Sequence, residues 1–131
     1  MSDDGEKFGG SGPGLRGCVL RSARIENGGN DIVIEMKDGR SLRYVAEGGC
    51  CSTSWIEHLE LPDNIEGAVV LKCDEVGGNS KPGEDLSKYE VLQVYESRIH
   101  TDRGMIVAEY RNDSNGYYGG SLRFVGGATG P

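Results

Sequence analysis

The chain has 131 residues, 36% of them apolar, a mean hydropathy of −0.47 and a net charge of −7. This length suits one domain with its own core, and because no apolar run of about 18 residues occurs, no membrane-spanning helix is expected. The acidic balance argues against extended nucleic acid as a partner, and the N-terminus lacks a basic-then-apolar secretion signal. We therefore expect a cytoplasmic protein that does not enter a membrane.

Glycine is concentrated in a few parts of the chain. Many of the 22 glycines lie in residues 1–17, in 77–83 and in the last six positions. Residues 1–16 carry too few apolar side chains to order themselves, so we expect a disordered, mobile tail there and another at 127–131. Residues 17–126 are predicted to form the single folded domain.

The first half of this domain shows the period-two alternation that is typical of strands. Residues 18–25, 32–36 and 41–46 each alternate apolar and polar side chains. Asparagine and glycine at 27–30, and the pair Asp38-Gly39, separate these segments and suit tight turns. The pattern predicts a three-stranded meander.

The middle of the chain predicts further strands around one helical turn. Residues 53–61 are predicted to be extended, 62–67 to form a short helical turn ended by glycine, and 68–73 to be a central strand. Residues 88–99 alternate again. The predicted fold is mainly β (α+β), a compact antiparallel sheet or barrel-like domain with one short helical turn.

Residues 105–125 predict a β-hairpin with an unusual set of side chains at its turn. Two alternating segments flank a polar turn that begins at Asn112. A guanidinium suits phosphate, aromatic rings suit a base, and amide and hydroxyl groups suit a ribose. Tyrosine in strands and Asn-Gly in turns also occur for purely structural reasons. The candidate ligand-binding residues are Arg111, Ser114, Asn115, Tyr117 and Tyr118.

The sequence lacks the usual catalytic and metal-binding motifs. Its four cysteines include no Cys-x-x-Cys pair and its two histidines lack ligand spacing, so neither zinc nor another cofactor is expected. In a cytosolic protein the thiols are expected to be reduced. A nucleophilic Cys50–His58 pair is conceivable, but no motif supports it, and the role of Cys51 also stays open. We therefore expect a protein that is not an enzyme.

Three stretches, taken in order, resemble a known family. They are Cys50-Cys51 leading into Trp55-Ile56-Glu57, the acidic turn at 62–67 before the apolar run at 68–71, and Arg111 followed by Ser-Asn-Gly-Tyr-Tyr. Over most of its length the chain is similar to the first described type of phage Thoeris anti-defence sponge. This resemblance implies a protein that sequesters a cyclic ADP-ribose isomer, or in some members a cyclic oligonucleotide, inside an infected bacterium. The chain departs from the family pattern at Gly49 and at Gly119-Gly120.

The resemblance also implies which residues hold the ligand. Arg111 is expected to contact phosphate, Tyr117 or Tyr95 to stack on the base, and Asn115 to bond ribose or base. Further candidates lie on neighbouring parts of the predicted strands: Arg98, His100, Arg103 and Arg123. The structural alternative for each arginine is a solvated charge on a strand. The family implies a symmetric homo-oligomer, a dimer or a hexamer, with ligand near a protomer boundary.

The charge distribution leaves an alternative of a different class. Residues 47–90 contain ten acidic residues and three lysines without an arginine, whereas residues 96–131 contain four arginines and four acidic residues. An acidic decoy would use the first stretch to bind and inhibit a host defence or nucleic-acid-handling protein. A hydrolase of the same signal is a third, minor alternative.

Overall fold

The computed structural model describes residues 7–10, 12–48, 53–79, 91–114 and 120–128. Their strands are β1 (Leu20–Glu26), β2 (Asp31–Met36), β3 (Ser41–Gly48), β4 (Thr53–Glu60), β5 (Val70–Asn79), β6 (Val91–Thr101), β7 (Gly104–Ser114) and β8 (Gly120–Ala128). Two short 3-10 turns occur at Phe8–Gly10 and Asn27–Gly29. Among the described residues, no helix is long and apolar enough to span a bilayer.

The strands form two four-stranded antiparallel sheets, which confirms the predicted mainly β fold class. The first sheet has the order β1-β2-β3-β8 and the second has the order β4-β7-β6-β5. The predicted meander is β1-β2-β3. Its second turn is closed by a hydrogen bond of 3.1 Å from the Gly39 N–H to the Met36 carbonyl, and Gly39 adopts the positive φ of +97° that glycine tolerates.

The hairpin predicted at 105–125 is wrong, because its two strands belong to different sheets. β7 pairs with β4 on one edge and with β6 on the other, so neither edge is available to β8. β8 pairs instead with β3 and completes the first sheet. The hairpin partner of β7 is β6, and Asp102 and Arg103 form the turn between them.

Two details of the middle segment also differ from the prediction. The strand predicted to be central is β5, which lies at an edge of the second sheet. Just before β5, Val69 forms an isolated antiparallel bridge with Val19 instead of pairing with a full neighbouring strand. Residues 62–67 form two turns instead of a helical turn, and the second is fixed by a hydrogen bond of 2.8 Å from the Gly67 N–H to the Leu20 carbonyl.

The two sheets share one hydrophobic core, and the N-terminal segment completes it. Phe8 and Leu15 are fully buried, and the Phe8 ring meets the Tyr44 ring edge-on with centroids 5.0 Å apart. This differs from the mobile tail expected for residues 1–16. The segment holds too few apolar residues to fold alone, but its two large side chains bury themselves against strands from elsewhere in the chain.

Glycine lets the N-terminal segment approach β8 closely. A Cβ atom on Gly9 would overlap the Leu122 carbonyl oxygen, and one on Gly12 would overlap the Phe124 ring. Both glycines also have positive φ. At the other terminus β8 extends to Ala128, which pairs with Ser41, so the sheet continues two residues beyond the predicted domain end.

The Tyr44 hydroxyl predicts a stabilising substitution. Tyr44 is fully buried, its hydroxyl has no hydrogen-bond partner among the described residues, and burial raises its pKa. Tyr44→Phe is therefore expected to raise the free energy of unfolding by about 1 kcal/mol, because it removes an unsatisfied polar group. Tyr110→Phe is the matched control: the Tyr110 hydroxyl donates to Glu75 at 2.7 Å, so its loss is expected to be destabilising. Urea unfolding of both variants tests the opposite signs, and a destabilised Tyr44→Phe would contradict the prediction.

Candidate functional site

Three strands of the second sheet meet at one end, which we call the polar end. β4 begins there, β6 begins there, and β7 ends there, because Thr53 pairs with Asp113 and Val91 pairs with Ser114. The predicted Ser-Asn-Gly-Tyr-Tyr segment starts at this point. Several predicted site residues or side chains lie outside the described residues: the Ser114 side chain, Asn115, Tyr117, Tyr118, Cys50 and Cys51.

Arg111 lies on β7 near the polar end, on the face that points away from the core. Its neighbour across the strand pair is Trp55 on β4. The Glu109 carboxylate accepts hydrogen bonds from Nε at 2.9 Å and lies 2.8 Å from Nη2, while Glu57 is 3.9 Å from Nε. Only 16% of the Arg111 side chain is exposed. The Glu109 carboxylate therefore holds the guanidinium in one orientation, at a strand position paired with Trp55.

The opposite face of the same sheet carries two stacked tyrosines. The Tyr95 and Tyr110 rings are nearly parallel, with an angle of 11° and centroids 4.9 Å apart. Glu75 accepts hydrogen bonds from the Tyr110 hydroxyl at 2.7 Å and from the Ser97 hydroxyl at 2.6 Å. Burial, followed by the Glu75 carboxylate, raises the pKa of Tyr110, so this phenol stays protonated. Tyr95 is partly exposed and belongs to the face that Arg111 does not reach.

A hydrogen-bond chain beside the tyrosines fixes the orientation of Gln93. The Ser54 hydroxyl donates to Asn112 Oδ1 at 2.8 Å, and Asn112 Nδ2 donates to Gln93 Oε1 at 3.2 Å. The Tyr95 hydroxyl donates to the same Gln93 oxygen at 3.2 Å. Gln93 therefore directs its NH₂ group away from this chain, and that group has no partner among the described residues. The result is a positioned donor next to an aromatic ring.

Sequence reasoning missed these amides for a local reason. Asn112 was assigned to the turn, but it is fully buried in β7. The period-two pattern already placed Tyr110 and the residue two positions later on the same face, which was the available signal. Gln93 and Asn112 are paired across strands, and that register depends on tertiary structure.

Arg98 and His100 share the Arg111 face of the second sheet but lie farther from the polar end. Arg98 Nη2 is 3.2 Å from Glu96 Oε2. His100 Nε2 is 2.8 Å from Asp74 Oδ2. Each cationic or ionisable group thus has a nearby carboxylate on this face, and their strand partners, Val107 and Met105, separate them from Arg111 along β7.

The structure does not bring Arg103 or Arg123 to the polar end. Arg103 lies in the turn at the opposite end of β6 and donates to the Glu66 carbonyl at 2.7 Å, so it holds the 62–67 turns. Arg123 lies on β8 in the first sheet, where it forms an ion pair of 2.7 Å with Glu47. Arg123 and Arg111 therefore lie in different sheets.

The described residues supply groups for non-covalent binding. No group of three or more His, Cys, Asp or Glu among them is placed to hold a metal ion. Cys73 is a buried thiol whose pKa is raised to about 12 by burial, so it is not a nucleophile near neutral pH. The His58 side chain is largely exposed, 3.6 Å from Glu60. The polar end offers a planar cation from Arg111, an aromatic ring from Tyr95 and an amide donor from Gln93.

Comparison with known proteins assigns the family. No curated protein and no solved structure matches the chain. One family model, described as a domain of unknown function (DUF7448), matches residues 18–124. The match begins just before β1 and ends within β8, so it includes seven of the eight described strands in full and the start of the last. Because it spans most of the sequence, the chain belongs to the DUF7448 family.

Proposed function

We propose that this protein binds a cyclic nucleotide immune signal, a cyclic ADP-ribose isomer, and sequesters it without degrading it. Sequestration would block bacterial anti-phage defence in the cytoplasm of the host cell. The observation that carries the proposal is Arg111, a planar cation fixed beside Trp55, three residues before the segment whose sequence resembles the sponge family. The resemblance supplies the ligand class, and the arrangement around Arg111 supports it.

Arg111 is suited to the diphosphate of such a ligand. The Glu109 carboxylate fixes the guanidinium plane in advance, so little side-chain entropy is lost when an anion binds. A fixed guanidinium binds phosphate oxygens with strong charge-assisted hydrogen bonds. The nearby Trp55 indole offers a flat apolar surface to a ribose or base.

Tyr95 and Gln93 are suited to a base. The Tyr95 ring is already held parallel to Tyr110, and the Gln93 amide donor is oriented by the hydrogen-bond chain from Ser54. Stacking on an aromatic ring contributes about 1–3 kcal/mol per base. Amide groups bond base edges with good specificity. In this proposal Arg111 holds phosphate and the Tyr95–Gln93 pair holds the base.

Arg111 and Tyr95 lie on opposite faces of one sheet, which favours an oligomer. A small ligand reaches both groups most readily when one protomer supplies the phosphate contact and another supplies the base contact. We therefore include a symmetric homo-oligomer, a dimer or a hexamer, in the proposal. Light scattering of the pure protein, with and without ligand, measures the number of protomers in the oligomer.

Ligand binding is expected to stabilise the protein. At a concentration about one hundred times the dissociation constant, the cyclic ADP-ribose isomer should add roughly 2.7 kcal/mol to the free energy of unfolding. Thermal unfolding with and without ligand measures this, with linear ADP-ribose as the control for phosphate charge alone. Chromatography of the denatured mixture should return the ligand unchanged. A stabilised protein with altered ligand would indicate an enzyme, and no stabilisation at all would contradict the proposed ligand.

A further inference from the structure

A concave surface in the described part of this acidic protein is lined by three cations and one carboxylate. A cleft of about 510 Å³ lies between the β2–β3 turn and the segment that precedes β1. This volume is within the range of small-molecule sites in proteins. We call it the basic cleft, and its side chains include Arg16, Cys18, Val19, Lys37, Asp38 and Arg40. In a chain of net charge −7, the three cations of the cleft outnumber the two carboxylates near them among the described residues, Asp38 and Glu66.

Backbone hydrogen bonds hold both walls of the basic cleft. The Lys37 N–H donates to the Val19 carbonyl at 2.9 Å, which joins the turn to the segment before β1. The Gly17 N–H donates to the Val70 carbonyl at 2.8 Å, and the Val70 N–H donates to the Cys18 carbonyl at 2.9 Å. The cleft is therefore part of the sheet framework, and its shape does not depend on a ligand.

Arg40 is fixed at the edge of this cleft. Its backbone N–H and its Nε donate to the two carboxylate oxygens of Asp38 at 3.0 and 2.8 Å, and Nη2 lies 3.6 Å from Cys18 Sγ. These contacts fix the guanidinium plane. They leave Nη1 without a hydrogen-bond acceptor in the described part of the chain. A guanidinium held in this way presents its outer edge to an anion.

Lys37 is a second cation of the cleft whose side-chain hydrogen-bond donors are not used by the described residues. Its Nζ makes no hydrogen bond to any described residue, and the nearest carboxylate oxygen, on Glu66, is 3.8 Å away. Both partners are at least half exposed, so this ion pair is weak. We propose that the basic cleft binds an oligophosphate group, with Arg40 and Lys37 contacting separate phosphate oxygens and Arg16 contributing positive charge at the rim.

This site is separate from the polar end. The basic cleft lies where β5 begins, beside Val69 and Val70, whereas the polar end lies where β5 ends. Loss of ligand binding at Arg111 therefore leaves this proposal intact, and the reverse is also true. The phosphate chemistry is shared by free oligophosphate and by nucleoside polyphosphates, and comparing inorganic triphosphate with adenosine triphosphate distinguishes these two sources.

Calorimetric titration with inorganic triphosphate at low ionic strength tests the basic cleft. We expect saturable binding to the wild-type protein that weakens with added salt. Arg40→Gln is expected to weaken it about tenfold, since charge-assisted hydrogen bonds are lost. Arg24→Gln is the matched control: it removes the same charge from an arginine that pairs with Glu26 and Glu35 on the first sheet, and binding should stay within about twofold of wild type.

A second readout locates the anion. Triphosphate bound in the cleft should slow alkylation of Cys18, measured on its own peptide by mass spectrometry, and Lys37→Gln should reduce this protection. Equal weakening in Arg40→Gln and Arg24→Gln, or unchanged Cys18 alkylation at saturation, would overturn the proposal. Titration with adenosine triphosphate then separates the sources: tighter binding than inorganic triphosphate indicates a nucleotide, and equal binding indicates the phosphates alone.

Discussion

Replacing Arg111 with glutamine is expected to weaken binding of the cyclic ADP-ribose isomer by about a hundredfold or more. The loss follows because two charge-assisted hydrogen bonds to phosphate contribute roughly 1.5–3 kcal/mol each. Calorimetric titration of the ligand into wild-type and variant protein measures the ratio. Arg24→Gln, which removes the same charge from the first sheet, should bind as wild type does. Wild-type affinity in Arg111→Gln would exclude this residue as the phosphate contact.

Arg111→Gln also has a cost in stability that must be separated from its effect on binding. Glu109 is buried, and its carboxylate would lose a cation that lies 2.8 Å away. Loss of a charge-assisted hydrogen bond to a buried carboxylate typically costs about 1.5–3 kcal/mol. The double variant Glu109→Gln/Arg111→Gln also removes the negative charge of Glu109. It should recover most of the stability while binding stays weak. Recovery of binding together with stability would show that Arg111 acts only through the fold.

Phe8→Ala is expected to lower the free energy of unfolding by about 3–4 kcal/mol, the range for removing a buried aromatic side chain. Phe8 is fully buried and packs edge-on against Tyr44 in the core. Urea unfolding measures the change. Leu71→Ala is the control, because this large apolar side chain is 52% exposed and should change stability by less than about 0.5 kcal/mol.

The Phe8 prediction decides whether the N-terminal segment belongs to the folded domain. If Phe8→Ala is as stable as wild type, the segment contributes nothing and the sequence-based tail assignment stands. Gly12→Ala gives an independent test. Its Cβ would overlap the Phe124 ring, and its φ of +80° disfavours any side chain, so this small change should also be destabilising.

Much of the local structure is readable from the sequence. The alternation predicted within residues 105–125 holds in β7, where Ile106, Ala108 and Tyr110 are all buried. The alternation works because a strand places successive side chains on opposite faces, and burial then selects apolar residues at every second position. Asp38-Gly39 likewise specified a tight turn through its own backbone preferences.

The candidate site could be predicted only in part. Arg111 was identified as a planar cation near a polar segment, and the structure adds Trp55 and Glu109 around it. Arg123 was a further candidate on a predicted strand, and the structure places it in the other sheet. Gln93 was not identified at all, since its role depends on hydrogen bonds from residues on neighbouring strands.

The sequence by itself determined which segments are strands and which faces they bury. Tertiary structure alone decided which strands are neighbours, that Phe8 completes the core, and that Tyr95 and Arg111 lie on opposite faces. The physical reason is the distance along the sequence over which each interaction acts. Periodicity and turn preference act within a few residues, whereas strand pairing depends on which sheet edges remain available after the other strands have paired.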